Sequence, residues 1–275
     1  FNGSAQLTMA TSDGSIGDAM SDEDSVTFTI VAVNDAPVVT PSTTDRSYTE
    51  NDTSVVANDT LTLSDVDSDN ITGATVKISS GLNANDVLAF TNTSNISGSY
   101  DASHGLLTLS GSATKAEYQA ALRAVTYSSS SENPTATSAS RTLTWQIDDG
   151  QTANHASNSA TSTINITAVN DAPVVNNDSA TVNEAGGTNN ETVAAGASPS
   201  GNVLNDDSDP EDAALSIKTI FKGIPETNAD ISMDVLADTT STSTNATSIN
   251  GDFGTLKIGA DGSYTYTVDN NKPAV

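Results

Sequence analysis

The residues of this chain whose types and spacing could do chemistry are carboxylates. Asp65-Val66-Asp67 and Asp207-Ser208-Asp209 each set two acidic side chains two positions apart. On a turn, that spacing lets both carboxylates point at one ion, and without an ion they repel each other. Calcium, which takes about six to eight oxygen ligands, is the cation such a set suits. The competing use is purely structural, because Asp and Asn side chains bond to nearby backbone and build turns. Asp69, Asp206 and Asp212 fit either use. Catalytic candidates are poor by comparison. His104 and His155 are the only histidines, and both stand beside turn residues. Ser112-Ala113-Thr114-Lys115 has the spacing of a serine acyl-transfer nucleophile, but it overlaps a helix-capping pattern and has no companion motif. Carboxylates on wet turns have nothing to raise the pKa of a catalytic acid. The expectation is a protein that is not an enzyme.

The composition says what must position these groups. With 275 residues, the chain suits about two domains. Nine Lys and Arg against 35 Asp and Glu give a net charge of −26, which disfavours nucleic acid and anionic membrane surfaces as partners. There is no cysteine, so disulfides and thiolate metal sites are excluded. No apolar run approaches the ~18 residues of a membrane span, so no direct membrane insertion is expected in this segment. The polar residues are mainly Thr (39), Ser (37) and Asp (27), with only 8 Glu. Thr favours strands, whereas Asp, Asn, Ser and Gly favour turns, so the chain reads as many short strands joined by tight acidic turns.

An internal repeat gives the organisation. Ala32-Val33-Asn34-Asp35-Ala36-Pro37-Val38-Val39 recurs 136 positions later as Ala168-Val169-Asn170-Asp171-Ala172-Pro173-Val174-Val175, and residues 1–39 align with 137–175 without a gap. Each copy reads as an alternating strand (Leu143, Trp145, Ile147 inward), an Asp-Gly turn, a second alternating strand, and Asn-Asp-Ala-Pro. Proline cannot donate to a ladder, so the strand stops there. Period-2 alternation predicts antiparallel sandwiches with one buried face. Residues 40–173 hold a whole module, with one helical insertion near 114–125. There, Thr114 and Glu117 fit a capping box, and Tyr118, Leu122 and Val125 share an apolar face. Residues 176–275 begin a module of another kind, with strands at 180–182, 215–220, 255–258 and 264–268, a hairpin turn at Asp261-Gly262, and an exposed loop over 237–251.

Val-Asn-Asp-Ala-Pro-Val at a module end resembles the linker of cadherin-like repeats. Tyr48-Thr49-Glu50-Asn51 and Asp65-Val66-Asp67 resemble the early Glu-Asn and the Asp-x-Asp of that family. Residues 63–78 and 105–150 are similar to cadherin-like repeats of giant bacterial adhesins secreted by type I systems. Asn202-Val203-Leu204-Asn205-Asp206-Asp207-Ser208-Asp209-Pro210 and Asp261-Gly262-Ser263-Tyr264-Thr265-Tyr266 resemble VCBS-type repeats of the same RTX-type proteins. The resemblance implies an all-β chain of tandem antiparallel β-sandwich (cadherin/Ig-like) modules in an end-to-end array. Residues 1–36 would be the closing strands of an incomplete module, 37–173 a complete cadherin-like module, and 174–275 the first part of a VCBS-type module. It also implies Ca2+ at the joints. The first joint would use Asn34 and Asp35 with Asp65 and Asp67. The second would use Glu50, Asp149, Asn170 and Asp171 with Asp207 and Asp209. The chain departs from the family where the linker usually carries an acidic residue before Asn, since Ala32 and Ala168 stand there.

The function implied is a structural, calcium-stiffened segment of an extracellular adhesin or surface fibre, on the cell surface of a Gram-negative bacterium, involved in adhesion or biofilm. The alternative is a sugar- or peptide-binding module of such a protein, against which Trp145 is expected in the core. Partners would be neighbouring modules or copies of the same protein, with no nucleic acid. Residues 1–31 match only the last two strands of a module, and residues 176–275 only the beginning of one. Two explanations stay open: a piece of a longer polypeptide, or a fibre in which strands of one subunit complete its neighbour, with Leu7, Met9, Val26, Phe28 and Ile30 as the inserting residues.

Overall fold

The computed structural model describes residues 3–13, 16, 21–182, 198–211, 214–222 and 231–269. Asp212 and the Asn270–Pro273 stretch lie outside them. The fold is all-β, as the alternation predicts, with one short helix among the described residues. The chain divides into two compact units, residues 1–168 and 169–275, so the break falls in the Ala168–Pro173 linker and the first 36 residues group with the complete module.

In the first unit, β1 (Gly3–Ser12) and β2 (Ser21–Ile30) form an antiparallel hairpin. The module follows with β3 (Val38–Thr40), β4 (Arg46–Thr49), β5 (Val55–Val56), β6 (Thr62–Ser64), β7 (Asn70–Ser80), β8 (Asp86–Ala89), β9 (Ser97–Asp101) and β10 (Leu106–Thr114). It ends with α1 (Lys115–Arg123), β11 (Thr126–Ser129), β12 (Ser140–Asp148) and β13 (Ala160–Thr167). A six-stranded sheet, in the order β4-β13-β12-β7-β10-β9, shares one core with a smaller sheet, β5-β11-β8. A third, two-stranded sheet is β3-β6. Only the β4–β13 pair is parallel in the large sheet.

The core is built by the alternation read in the sequence. Leu143, Trp145 and Ile147 of β12 are buried, and so are Val76 and Ile78 of β7, Leu107 and Leu109 of β10, and Ile164 and Ile166 of β13. The Trp145 indole N–H donates to Ser162 Oγ at 2.9 Å, so the buried ring leaves no orphan donor. The α1 capping box forms as expected. The Glu117 amide donates to Thr114 Oγ1, and the Glu117 carboxylate accepts from the Thr114 amide at 2.8 Å. Tyr118, Leu122 and Val125 are all buried. Gly150 closes the turn after β12 with φ +79°, a conformation that costs glycine nothing.

The second unit contains β14 (Ser200–Asn202), β15 (Thr219–Lys222), β16 (Ile231–Asp234), β17 (Thr247–Asn250), β18 (Gly254–Ile258) and β19 (Ser263–Val268). Its described sheets are β14-β19-β18-β17 and β15-β16. The Asp261-Gly262 hairpin is where the sequence places it, with Gly262 at φ +78°. Three expectations change. Residues 180–182 are not a strand, and the strand predicted over 215–220 begins later, as β15. The supposed exposed loop over 237–251 contains β17 and buries Thr239, Ser241, Thr247 and Ile249. Two of its threonine side chains bond to backbone carbonyls. Thr239 Oγ1 donates to Leu236 O at 2.6 Å, and Thr247 Oγ1 to Asp234 O at 3.1 Å.

Candidate functional site

The first acidic turn is assembled by β3 and β6, whose pairing sets Val38 opposite Ser64. That register lays the Asn34-Asp35 linker against the Asp65–Ser68 turn. The Asp35 amide donates to Asp67 Oδ2 at 3.1 Å. Asp65 Oδ1 accepts from the amides of Asp67 at 3.1 Å and Ser68 at 2.8 Å, which holds the turn. Its other oxygen, Oδ2, is buried and has no hydrogen-bond partner. Asn34, Asp35, Asp65 and Asp67, the residues implied for the first joint, are therefore brought together.

Asp149 belongs to this same place, which corrects its assignment to the second joint. Asn34 Nδ2 donates to Asp149 Oδ2 at 2.9 Å, and Ser68 Oγ donates to the same oxygen at 3.3 Å. The reason is the sheet order. The end of β12 pairs with the start of β7 (Asp148 opposite Gly73), and β7 begins just after the acidic turn. Sequence reasoning passed over three neighbours. Ser68 is buried between Asn34 and Asp149. Asn154 Nδ2 donates to Asn34 O at 2.9 Å. Lys115 Nζ donates to Asp65 O at 2.8 Å and is one fixed cation at the rim. Lys115 follows the helix cap directly, so the capping box read in the sequence also sets its position. Glu50 is buried at the end of the β4–β13 pair, where its amide donates to Thr167 O at 2.9 Å.

The second unit repeats the arrangement in a shifted register. Val174 bridges Ser208 as Val38 pairs with Ser64. The Asp171 amide donates to Glu211 Oε2 at 3.0 Å, as Asp35 does to Asp67. Asp209 Oδ1 accepts from the amide two residues on, Glu211, at 3.0 Å, as Asp65 does from Asp67. The acidic pair of this turn is therefore Asp209-Pro210-Glu211, not Asp207-Ser208-Asp209. Asp207 instead accepts from the Asn176 amide at 2.7 Å. Asn170 is exposed, and its side chain donates to Asp171 O at 2.8 Å. Asp171 Oδ2 and Glu211 Oε1 are buried without hydrogen-bond partners. Glu211 was missed because Asp207-x-Asp209 looks like the motif. The signal that finds it is Ser-Asp-x-acid, shared by Ser64-Asp65-Val66-Asp67 and Ser208-Asp209-Pro210-Glu211.

Other ionisable groups hold structure. Asp86 and Arg141 form a fully buried pair, with Arg141 Nε at 2.6 Å from Asp86 Oδ2, and Tyr127 Oη donates to Asp86 Oδ1 at 2.7 Å. Burial pushes the Tyr118 hydroxyl up to about 12, with the Asp148 charge adding to it. Burial, then the bond to Asp86, also raises Tyr127. Asp101 is held low, at about 2, by the Ser103 hydroxyl and then by His104. His104 sits beside exposed Asp101, and His155 beside half-buried Asp148.

Leu7, Met9, Val26, Phe28 and Ile30 are all substantially exposed, with Leu7 at 53% and Phe28 at 55%. Their strands pair with each other, and among the described residues with no other strand. No described helix is long and apolar enough to cross a membrane.

No protein-family model matches the chain. It is similar to Halomucin of Haloquadratum walsbyi, with 40% identity over 128 residues, which is 44% of this chain and 1% of that protein. The chain thus spans a very small part of the relative it matches, and that relative is a very long polypeptide.

Proposed function

We propose that this chain is a structural, calcium-stiffened segment of an extracellular surface protein, an adhesin or surface fibre. The observation that carries the reading is Asp65 Oδ2, a buried carboxylate oxygen with no hydrogen-bond partner, at the turn where Asn34, Asp35 and Asp67 converge. Leaving a charged oxygen buried and unpaired is costly, and a bound cation offsets that cost. The same feature recurs at Asp171 Oδ2 and Glu211 Oε1. The donor set fits calcium, being all hard oxygen with no cysteine or histidine. Asp35, Asp65, Asp67 and Asp149 would hold the ion in the first unit, and Asp171, Asp209 and Glu211 in the second. Calcium supplies charge neutralisation at these turns, which fixes each linker to the module that follows it.

The surface role is supported by the strongly acidic charge and by the likeness to a very long protein whose name denotes a mucin, a type of extracellular polymer. The role is mechanical and not catalytic. Small-angle scattering with millimolar calcium and then with chelator tests it. Calcium should narrow the distribution of shapes, and identical curves would count against the reading.

A further inference from the structure

The β1–β2 hairpin has the register of β12–β13. Ser4 pairs with Thr29, Ala5 with Phe28, Leu7 with Val26 and Met9 with Asp24. Adding the repeat offset of 136 gives Ser140–Asn165, Arg141–Ile164, Leu143–Ser162 and Trp145–Ala160, which are the pairs of β12–β13. In the complete module that hairpin is not left alone. β7 runs antiparallel along β12, β4 runs parallel along β13, and the inward side chains fill the core. In β1–β2 the same positions carry Leu7, Met9, Val26, Phe28 and Ile30, exposed and uncovered.

Two pairs of inward residues change together between the two hairpins. Arg141 becomes Ala5 while its cross-strand partner Ile164 becomes Phe28. Trp145 becomes Met9 while Ser162, which accepts its indole N–H, becomes Val26. In the second pair the volume lost on one strand is regained on the other, whereas Thr11 in the place of buried Ile147 and Asp24 in the place of core-packed Ala160 have no such counterpart. Cores tolerate paired changes that keep total volume. The identical register and the five apolar residues on one face are those of a core hairpin, and an exposed, open-edged apolar hairpin is a state folded proteins avoid.

We propose that β1–β2 is the closing hairpin of a second module of this type. Its apolar face docks on a module body that supplies a β7-like strand along β1 and a β4-like strand along β2. The occupant is a polypeptide segment built like residues 38–131. It differs at one point: since Ala5 stands where Arg141 pairs with Asp86, that body carries no buried carboxylate at the position of Asp86. The inference is independent of any metal.

The test is a transplant within the full chain. Residues 140–167 are replaced by residues 4–31, with Arg141 kept so that Asp86 retains its partner. The chain should still melt cooperatively. Placing Asp at the Phe28 position of the inserted copy should then lower the melting temperature by ~10 °C or more, because a charge would enter the core. The same change in the N-terminal copy should leave it unmoved. Equal small effects in both copies would overturn the proposal. If the transplant does not fold, Trp145→Met alone is compared with Trp145→Met plus Ser162→Val in the otherwise unmodified chain. A double variant at or above the single one supports the proposal, and one below it contradicts it. Sedimentation of the unmodified chain should show a monomer. A dimer abolished by Phe28→Asp would instead put a second copy of the chain on this face and refute the module body as occupant.

Discussion

The Asp171 amide donates to Glu211 Oε2 at 3.0 Å, and this is the bond that Asp35 makes to Asp67 at 3.1 Å in the preceding module. The linkers are 136 residues apart, but the acidic turns are 144 apart, so the second module holds eight more residues between linker and turn. The two units thus build the same contact between linker and turn, which leaves Asp65 Oδ2 in the first unit, and Asp171 Oδ2 and Glu211 Oε1 in the second, buried without hydrogen-bond partners.

The shifted register predicts which acids matter in the second unit. Asp209→Asn and Glu211→Gln should each weaken calcium binding there by tenfold or more, since each removes a carboxylate charge from the set. Asp207→Asn should change it less than threefold, because Asp207 is occupied with the Asn176 amide. Isothermal titration of the three variants checks the order, and a dominant loss at Asp207 would restore the original motif.

Arg141→Met should destabilise the first unit by ~3–5 kcal/mol, because it leaves Asp86 buried and uncompensated. Adding Asp86→Leu should recover much of that loss. Urea melts of the single and double variants measure the coupling, and a double variant no more stable than the single one would show that the pair is not the source of the cost.

Trp145→Ala should cost ~3–5 kcal/mol, as expected for emptying the largest fully buried side chain. The native protein should also show blue-shifted Trp fluorescence, which chemical denaturation shifts to the red. An emission maximum that does not move on unfolding would place the ring in water.

Stability should fall at alkaline pH. An unfolded tyrosine loses its proton near pH ~10, whereas folded Tyr118 keeps it up to about 12 and Tyr127 is raised as well. Above the unfolded value the unfolded chain binds fewer protons than the folded one, so the free energy of unfolding drops as pH rises from about 10 to about 12. The limiting slope is ~1.4 kcal/mol per pH unit for each such tyrosine. Tyr118→Phe should shallow that slope, and an unchanged slope would assign the effect elsewhere.

The sandwich was legible because strand alternation survives in the composition: Leu143, Trp145 and Ile147 announce an inward face, and Thr114 with Glu117 announces the helix start. The first acidic turn was legible because its parts repeat. What could not be read depends on pairing over long distance. Arg141 falls on the inward face of β12, and only the fold supplies Asp86, 55 residues away, as its partner. Asp149 joins Asn34 through the sheet order, across 115 residues. Glu211 was hidden by a nearer Asp-x-Asp, and β17 by a run of Thr and Ser that resembles a loop but is tied by Thr239 and Thr247 to the carbonyls of Leu236 and Asp234.

The central claim is tested most directly by calorimetric titration of the full chain with calcium, alongside Asp65→Asn. The account predicts binding in the ~10⁻⁴–10⁻³ M range typical of extracellular modules, at sites in both units, and a tenfold or greater weakening of the first-unit site in the variant. No heat and no melting shift at millimolar calcium, or binding that Asp65→Asn leaves untouched, would contradict it.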